Sequence, residues 1–380
     1  MRIVYCIRAL YNPGGMERVL LNKVSWLSVN TDYEIVIITT DQMHRPTFYS
    51  FPPQVKIIDL EINYEEDKGK SPIAIISGYL LRRHRHKVRL AEYLRDNPAD
   101  IVVSLFPSES SFIPSLKDGS RKVLELHFCR FFRLQYGRKG LIGFIDHIRS
   151  RMDAALVRRF DRFVVLTEED AQNWGYFNSL CVIPNAVRVI PHEKSRLTNK
   201  RVIAVGRLDY QKGFDNLIKA WGLMMNRHPE LAGWYLDIFG QGEWHDMLQK
   251  LAADIGVSDS IYINKPTNNI TAEYLNSSLL VMSSNYEGFG MVLVEAMACG
   301  VPCVAFDCPC GPSEIIEHEH NGLLVKNGDI EGLANAMMRL MENEEERKAM
   351  GSNARKVTET YSEESVMKRW VELFVSLTEK

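Results

Sequence analysis

Residues 201–213 read Arg-Val-Ile-Ala-Val-Gly-Arg-Leu-Asp-Tyr-Gln-Lys-Gly. A short β-branched apolar run ends in Gly206, and a helical pattern follows Gly213. That is a strand turning into a helix, and it starts afresh after the polar stretch Pro191–Lys200. The same arrangement opens the chain. Ile3–Ile7 is an apolar run, and Arg8-Ala-Leu-Tyr-Asn-Pro-Gly14-Gly15-Met16-Glu17 leads into a second helical pattern. One chain that begins the same way twice suggests two domains.

Working outward from these two starts, short apolar runs alternate with amphipathic segments. Expected strands are Ile3–Ile7, Glu34–Thr40, Ile101–Leu105, Lys122–Leu126 and Phe163–Leu166, then Arg201–Val205, Tyr235–Phe239, Leu279–Met282 and Cys303–Phe306. Near-continuous hydrophobic runs separated by helices mean parallel sheets covered on both faces. The expected fold class is therefore α/β, with two doubly wound, Rossmann-like domains facing a central cleft. The boundary is expected in Ile183-Pro-Asn-Ala-Val187, giving residues 1–185 and 186–361. Residues 362–380 form a last helix, capped by Ser362, with Trp370, Phe374 and Leu377 on one stripe. That helix is expected to pack back toward the first domain.

The bulk numbers agree with a globular chain. Its 380 residues are 46% hydrophobic and 25% charged, with a net charge of −2. Lys and Arg outnumber Asp and Glu in residues 1–184, and the balance reverses in the remainder. Seven cysteines without a regular spacing suggest a reducing compartment. Cys299/Cys303 and Cys308/Cys310 lie close together, but free Cys is commonly a small buried hydrophobe, so no metal site is expected. The N-terminus does not read as a signal peptide, and the longest apolar stretch, Pro72–Leu81, is too short to span a bilayer. A cytoplasmic location is expected, with contact at the inner face of a membrane left open.

Ligands in open α/β sheets bind where strand ends turn into helices, so four turns matter. At Gly14-Gly15, paired glycines and exposed helix N–H groups favour an anion, although a plain strand–helix turn would look the same. At Gly206–Gly213, Arg207 and Lys212 could converge on a diphosphate, as a planar donor fork plus a point charge. At Asn285–Glu295, Gly288 and Gly290 form a turn and Met291–Ala298 a helix. Backbone N–H groups of Phe289 to Val292 would point at a ligand, while Val292 and Leu293 face the sheet. Glu287 and Glu295 flank this turn, and ionised carboxylates accept hydroxyl protons. At Cys310-Gly-Pro-Ser-Glu314, Ser313 or Glu314 could line a site or only cap a helix.

Together these patterns resemble glycosyltransferase family 4. Glu287 and Glu295 match its Glu-x7-Glu signature. Gly206-Arg207-Leu-x-x-x-Lys212-Gly213 is similar to its donor-diphosphate clamp, and Gly14-Gly15-Met16-Glu17 to its N-terminal glycine loop. Ile183-Pro-Asn185, Gly311-Pro-Ser-Glu314 and Asn321-Gly-Leu-Leu-Val325 resemble further family patterns. The resemblance covers the whole chain, with its sharp motifs almost all in the second half. It implies the GT-B fold and a retaining transferase acting on a nucleotide-diphosphate sugar. Arg207 and Lys212 would hold the diphosphate, and Glu295 the ribose. Glu287, with the amides of Phe289 and Gly290, would hold the transferred sugar. Gly15 would let backbone close over the phosphates. Members of the family often place a His in the loop after Leu126, so His127 joins the candidates, although the residues after it differ from the usual ones.

The expected donor is a UDP-sugar, with a GDP-sugar next, and the expected acceptor is a saccharide or lipid-linked saccharide in surface glycan synthesis. No Asp-x-Asp pair occurs, so neither a metal nor another cofactor is expected. Residues 82–162 carry twice as many basic as acidic residues. The runs Leu81–Arg89 and Arg130–Lys139 mix cations with apolar side chains, which suits anionic lipid but also a solvated helix face. Nucleic acid is not expected, because no recognised motif accompanies the charge. Rival readings are a nucleotide-sugar epimerase, a dinucleotide-dependent dehydrogenase and a non-catalytic sugar-nucleotide-binding protein. The dehydrogenase lacks support, since Gly240-Gln-Gly242 and Gly288-Phe-Gly290 both miss the third glycine of the fingerprint.

Overall fold

The computed structural model describes residues 1–64, 72–105, 109–135 and 138–379. The chain divides into two compact units, Met1–Ile183 with Val366–Lys380, and Pro184–Ser365.

The first unit holds β1 (Arg2–Cys6), β2 (Glu34–Thr39), β3 (Lys56–Asp59), β4 (Ile101–Ser104), β5 (Arg121–Glu125), β6 (Arg162–Val165) and β7 (Leu180–Val182). They form one sheet in the order β3-β2-β1-β4-β5-β6-β7, with every neighbouring pair parallel. The second unit holds β8 (Arg201–Val205), β9 (Tyr235–Phe239), β10 (Ile261–Asn264), β11 (Leu279–Met282), β12 (Cys303–Asp307) and β13 (Gly322–Lys326). Their order is β10-β9-β8-β11-β12-β13, again all parallel. Numbered within each unit, the first order runs 3-2-1-4-5-6-7 and the second 3-2-1-4-5-6, both the doubly wound topology. The direction of winding reverses between β1 and β4, and between β8 and β11. Crevices at such reversals are where α/β sheets take ligands.

The physical cause is legible in burial. Ile3, Val4, Val36, Ile37, Val102, Val103, Phe163 and Val164 have no exposed surface, and neither do Val202, Ile203, Leu279, Leu280 and Val304. Strands apolar on both faces must be covered by helices on both sides, and parallel crossovers supply them. The helix Phe214–Arg227 shows the matching pattern. It buries Phe214, Leu217, Ile218, Trp221 and Met224 at three- and four-residue spacing.

The last helix, Glu363–Thr378, starts with Ser362 Oγ accepting from Ser365 N at 3.3 Å. Its C-terminal part belongs to the first unit, and Trp370, Phe374 and Leu377 are buried. Arg369 Nη2 donates to Val182 O at 2.7 Å, and Arg121 Nε donates to Leu377 O at 3.2 Å.

Candidate functional site

In the second unit, two turns meet at the β8/β11 reversal. The first leaves β8 through Gly206. Asp209 caps a single helical turn, Tyr210–Lys212, by accepting from Lys212 N at 3.3 Å. Gly213 then takes φ +58°, and a Cβ there would lie 2.3 Å from Ser283 O. Only glycine satisfies both conditions, so this turn is pinned against the end of β11. Gly240-Gln-Gly242 has a similar job. Cβ atoms at Gly240 and Gly242 would strike Gly206 O and Leu208 O at 1.9 and 2.3 Å. These glycines serve backbone packing between turns.

The second turn runs from Ser283 to Gly290, which has φ +96° and opens the helix Met291–Ala298. Asn285 ties it to the first turn, with its N donating to Gln211 O at 2.8 Å and its Nδ2 to Tyr210 O at 2.6 Å. The two turns bring Lys212 Nζ to 2.6 Å from Glu287 Oε1, and Ser284 Oγ donates to the same oxygen at 2.6 Å. Glu287 is 5% exposed. A carboxylate buried that deeply needs partners, and Lys212 and Ser284 supply them. Gly206 leaves room for Lys212, since a Cβ there would lie 2.9 Å from Lys212 Cγ. An ammonium has three N–H donors, so Lys212 keeps capacity for further oxygens beyond Glu287.

Arg207 and Lys212 do not converge as expected. Arg207 Nη2 donates to Gln211 Oε1 at 2.8 Å and lies 3.3 Å from Asp209 Oδ2, with the side chain 69% exposed. The two cations hold separate partners, because the Tyr210–Lys212 turn sends Lys212 inward and leaves Arg207 at the rim. Glu295 receives the Tyr274 hydroxyl at 3.1 Å. Phe289 is buried, edge-on to Tyr361 at 5.4 Å. Gly288, Met291 and Val292 are half-buried, whereas Leu293 and Val294 are fully buried. The inward pair is thus Leu293 and Val294, and the expectation for Val292 is corrected. The helix starts at Met291, and that phase turns Val292 partly outward. In the fourth turn Ser313 is exposed. Glu314 O, on the short helix Pro312–Ile315, accepts from Tyr361 Oη at 3.0 Å.

Gly14, Gly15 and His127 belong to the first unit. Gly14 precedes the helix Gly15–Asn30, and a Cβ on Gly14 would lie 2.0 Å from Glu17 Oε2. The Glu17 carboxylate folds back over the turn, and burial pushes it above the usual carboxylate range. A Cβ on Gly15 would meet nothing within 4 Å. His127 Nε2 lies 3.2 Å from Glu125 Oε1, and Lys23 Nζ lies 2.5 Å from the same oxygen. Lys23 also sits 3.4 Å above the Trp370 ring. Burial pulls the Lys23 ammonium down to about 8, with Glu125 opposing that pull. Burial alone would push the Glu125 carboxyl up, but Lys23 and His127 overcome it and hold it at about 2. Glu125 therefore stays ionised and fixes the orientation of His127. A cavity of about 270 Å³ lies beside this turn, lined by Arg8, Tyr11, Met16, Glu17, Phe128 and Arg133 among others.

Sequence reasoning missed Ser284, Tyr274, Lys23 and Glu125. Glu125 carried a usable signal. It closes β5 only two residues before His127, so a carboxylate stands close to the histidine in the sequence itself. The cysteine pairs are buried, and burial pushes the Cys303 and Cys308 thiols up and the Cys299 thiol to about 12. Among the described residues these sulphurs form no converging ligand set.

Fold and turns together define an α/β protein of the GT-B class, and comparison with known proteins places it further. Residues 189–357 match the family model described as glycosyl transferases group 1. An amylovoran biosynthesis glycosyltransferase, AmsD of Erwinia amylovora, is 30% identical over 97% of this chain and 98% of that protein. The chain belongs to the group 1 glycosyl transferase family. An uncharacterized glycosyltransferase of Haemophilus influenzae is 34% identical, over 55% of this chain and only 60% of its own length. A mutant of S. aureus TarM, crystallised with fondaparinux, α-GlcNAc-glycerol and UDP, superposes with a TM-score of 0.77. It covers 98% of this chain and 99% of that one at 18% identity, a likeness of fold.

Proposed function

We propose that the protein transfers a sugar from a nucleoside-diphosphate sugar, preferably a UDP-sugar, to a saccharide or lipid-linked saccharide acceptor in surface glycan synthesis, with retention at the anomeric carbon. The carrying observation is the contact of Lys212 with buried Glu287 at the β8/β11 reversal. That is one cation and one acceptor side by side, where a sugar diphosphate needs both. Lys212 would hold the diphosphate from within and Arg207 from the rim. Glu295, oriented by Tyr274, would take the ribose hydroxyls. Glu287, with the backbone of Gly288, Phe289 and Gly290 and the start of the Met291–Val292 helix, would take the transferred sugar. The family resemblance also implies roles for Gly14, Gly15 and His127, which lie in the first unit.

Departure of the nucleoside diphosphate builds negative charge on its β-phosphate and positive charge on the sugar. Fixed cations stabilise that change without reorganising. The acceptor oxygen forms the new bond on the face the phosphate leaves, and its proton passes to the leaving phosphate. With Lys212 and Arg207 in this place, the reaction needs no metal. The relative named for amylovoran biosynthesis and the neighbour crystallised with UDP support this reading, and they favour transfer over the epimerase and non-catalytic alternatives.

The test is incubation with UDP- and GDP-sugars and a lipid-linked saccharide pool, followed by proton NMR of the product. The expected product keeps the donor's anomeric configuration. An inverted product removes retention, and absence of transfer from every donor removes the activity.

A further inference from the structure

The helix Gly140–Val157 in the first unit is built inside out. Its exposed residues include Ile142, Phe144, Ile145, Ile148 and Met152, at 58%, 63%, 44%, 42% and 65% exposure. Among its residues of described burial, the buried ones are Gly143, Asp146, Ser150 and Val157. A helix of a soluble domain normally turns its apolar stripe to the core and its charges to water. Here the polar side is inward and held there. Asp146 Oδ2 lies 2.9 Å from Arg138 Nε, and Asp153 Oδ2 lies 2.8 Å from Arg133 Nε. A Cβ on Gly143 would lie 2.1 Å from Arg138 O, so the inner side is in close contact with the preceding segment.

At 100° per residue the five apolar side chains share one arc of the helix. Positions 149 and 151 are exposed arginines at the borders of that arc, and Arg158 and Arg159 follow, also exposed. Asp146 and Asp153 are the helix's two acids, and both are paired inward. The outer face therefore combines isoleucine, phenylalanine and methionine with cations of one sign.

We propose that this face docks on an anionic lipid surface, with the helix lying in the interface. Charge complementarity selects the occupant: a bilayer of anionic headgroups offers acyl chains to the apolar arc and phosphates to the arginines. A protein partner would have to match a rim of one sign around a flat apolar patch. No helix among the described residues is long and apolar enough to cross a membrane, so the mode is contact. The helix lies within the basic stretch 82–162 but follows the runs 81–89 and 130–139. Arg133 and Arg138, in the run 130–139, are engaged by Asp153 and Asp146; residues 136 and 137 of that run lie outside the described ones. The inference does not depend on the donor site.

The experiment is flotation of the full chain with vesicles of phosphatidylcholine alone and of equal parts phosphatidylcholine and phosphatidylglycerol. Binding to the mixed vesicles, weakened by salt, is expected, with little to the neutral ones. The double variant Phe144→Ser, Ile148→Ser should lower the bound fraction roughly ten-fold, since two exposed apolar anchors are lost. Arg149→Glu, Arg151→Glu should abolish the preference for anionic lipid. All four residues are exposed, so circular dichroism should be unchanged. Failure to float with the mixed vesicles, or variants that float like the wild type, would overturn the proposal. A dimer in size-exclusion chromatography that both variants dissociate, without vesicle binding, would reassign the face to a second copy.

Discussion

Replacing Glu125 by Gln keeps the side chain's shape and removes its charge. Lys23 then remains 4% exposed, against the Trp370 ring, without an anion. The cost follows from the carboxyl's position. Lys23 and His127 hold it at about 2 against an ordinary value of 4.5, which corresponds to about 3 kcal/mol of folding stability. That agrees with the roughly 3–5 kcal/mol lost when one member of a buried ion pair is removed. For a unit of this size, the melting temperature should fall by roughly 6–12 °C.

The effect has a defined pH dependence. Because the folded carboxyl titrates lower than the unfolded one, the wild-type advantage is complete above pH 4.5 and is lost as pH falls through about 2. By pH 4 it should be roughly 1 kcal/mol smaller. The variant should also regain stability on the alkaline side. Lys23 is already pulled down by burial and, without Glu125, sheds its proton more easily when folded than when unfolded. Urea unfolding followed by tryptophan fluorescence, from pH 4 to pH 9, measures both. A loss below about 1 kcal/mol at pH 7, or a gap constant from pH 7 to pH 4, would refute the ion-pair argument.

Further expectations concern the second unit. Glu295→Ala should weaken nucleotide binding, while Glu287→Ala should mainly lower transfer; calorimetry beside a transfer assay separates them, and unchanged affinity in Glu295→Ala removes the ribose assignment. Transfer should persist in excess chelator, and loss of activity restored by Mg²⁺ would contradict the roles given to Lys212 and Arg207. Gly213→Ala should cost about 1–3 kcal/mol in urea unfolding, because its Cβ meets a backbone oxygen that cannot move aside; a neutral effect would show that the turn is not pinned.

Much of this fold can be read directly from the residues. The nine strands recognised in the sequence are the interior strands of the two sheets, some displaced by one residue. Interior strands are covered on both faces, so runs such as Ile35–Ile38 and Val202–Val205 are unbroken apolar. The four strands not recognised, β3, β7, β10 and β13, are the sheet edges. Lys56–Asp59 and Leu180–Val182 have no fully buried residue, and one face in water dilutes the pattern.

The site divides in the same way. Glu287, Glu295, Arg207 and Lys212 stand in local turns and can be found by spacing. Their partners come from elsewhere in the fold. Lys212 meets Glu287 across 75 residues, and Tyr274 reaches Glu295 across 21. Only the neighbouring of β8 and β11 brings the first pair together, and no local pattern encodes it. Arg207 shows the converse. Its spacing from Lys212 suggested a shared target, but the short capped turn between them sends the two side chains apart.

Donor binding at Lys212 is tested most directly by thermal stability against UDP-, GDP- and ADP-sugars, with NAD as control, for the wild type and for Lys212→Ala. A ligand that binds the native state raises Tm. The expected result is a rise with one class of sugar nucleotide, preferably UDP, and a much smaller rise in Lys212→Ala. A rise with NAD alone, or an equal rise in wild type and variant, would contradict a donor site built on Lys212 and Glu287.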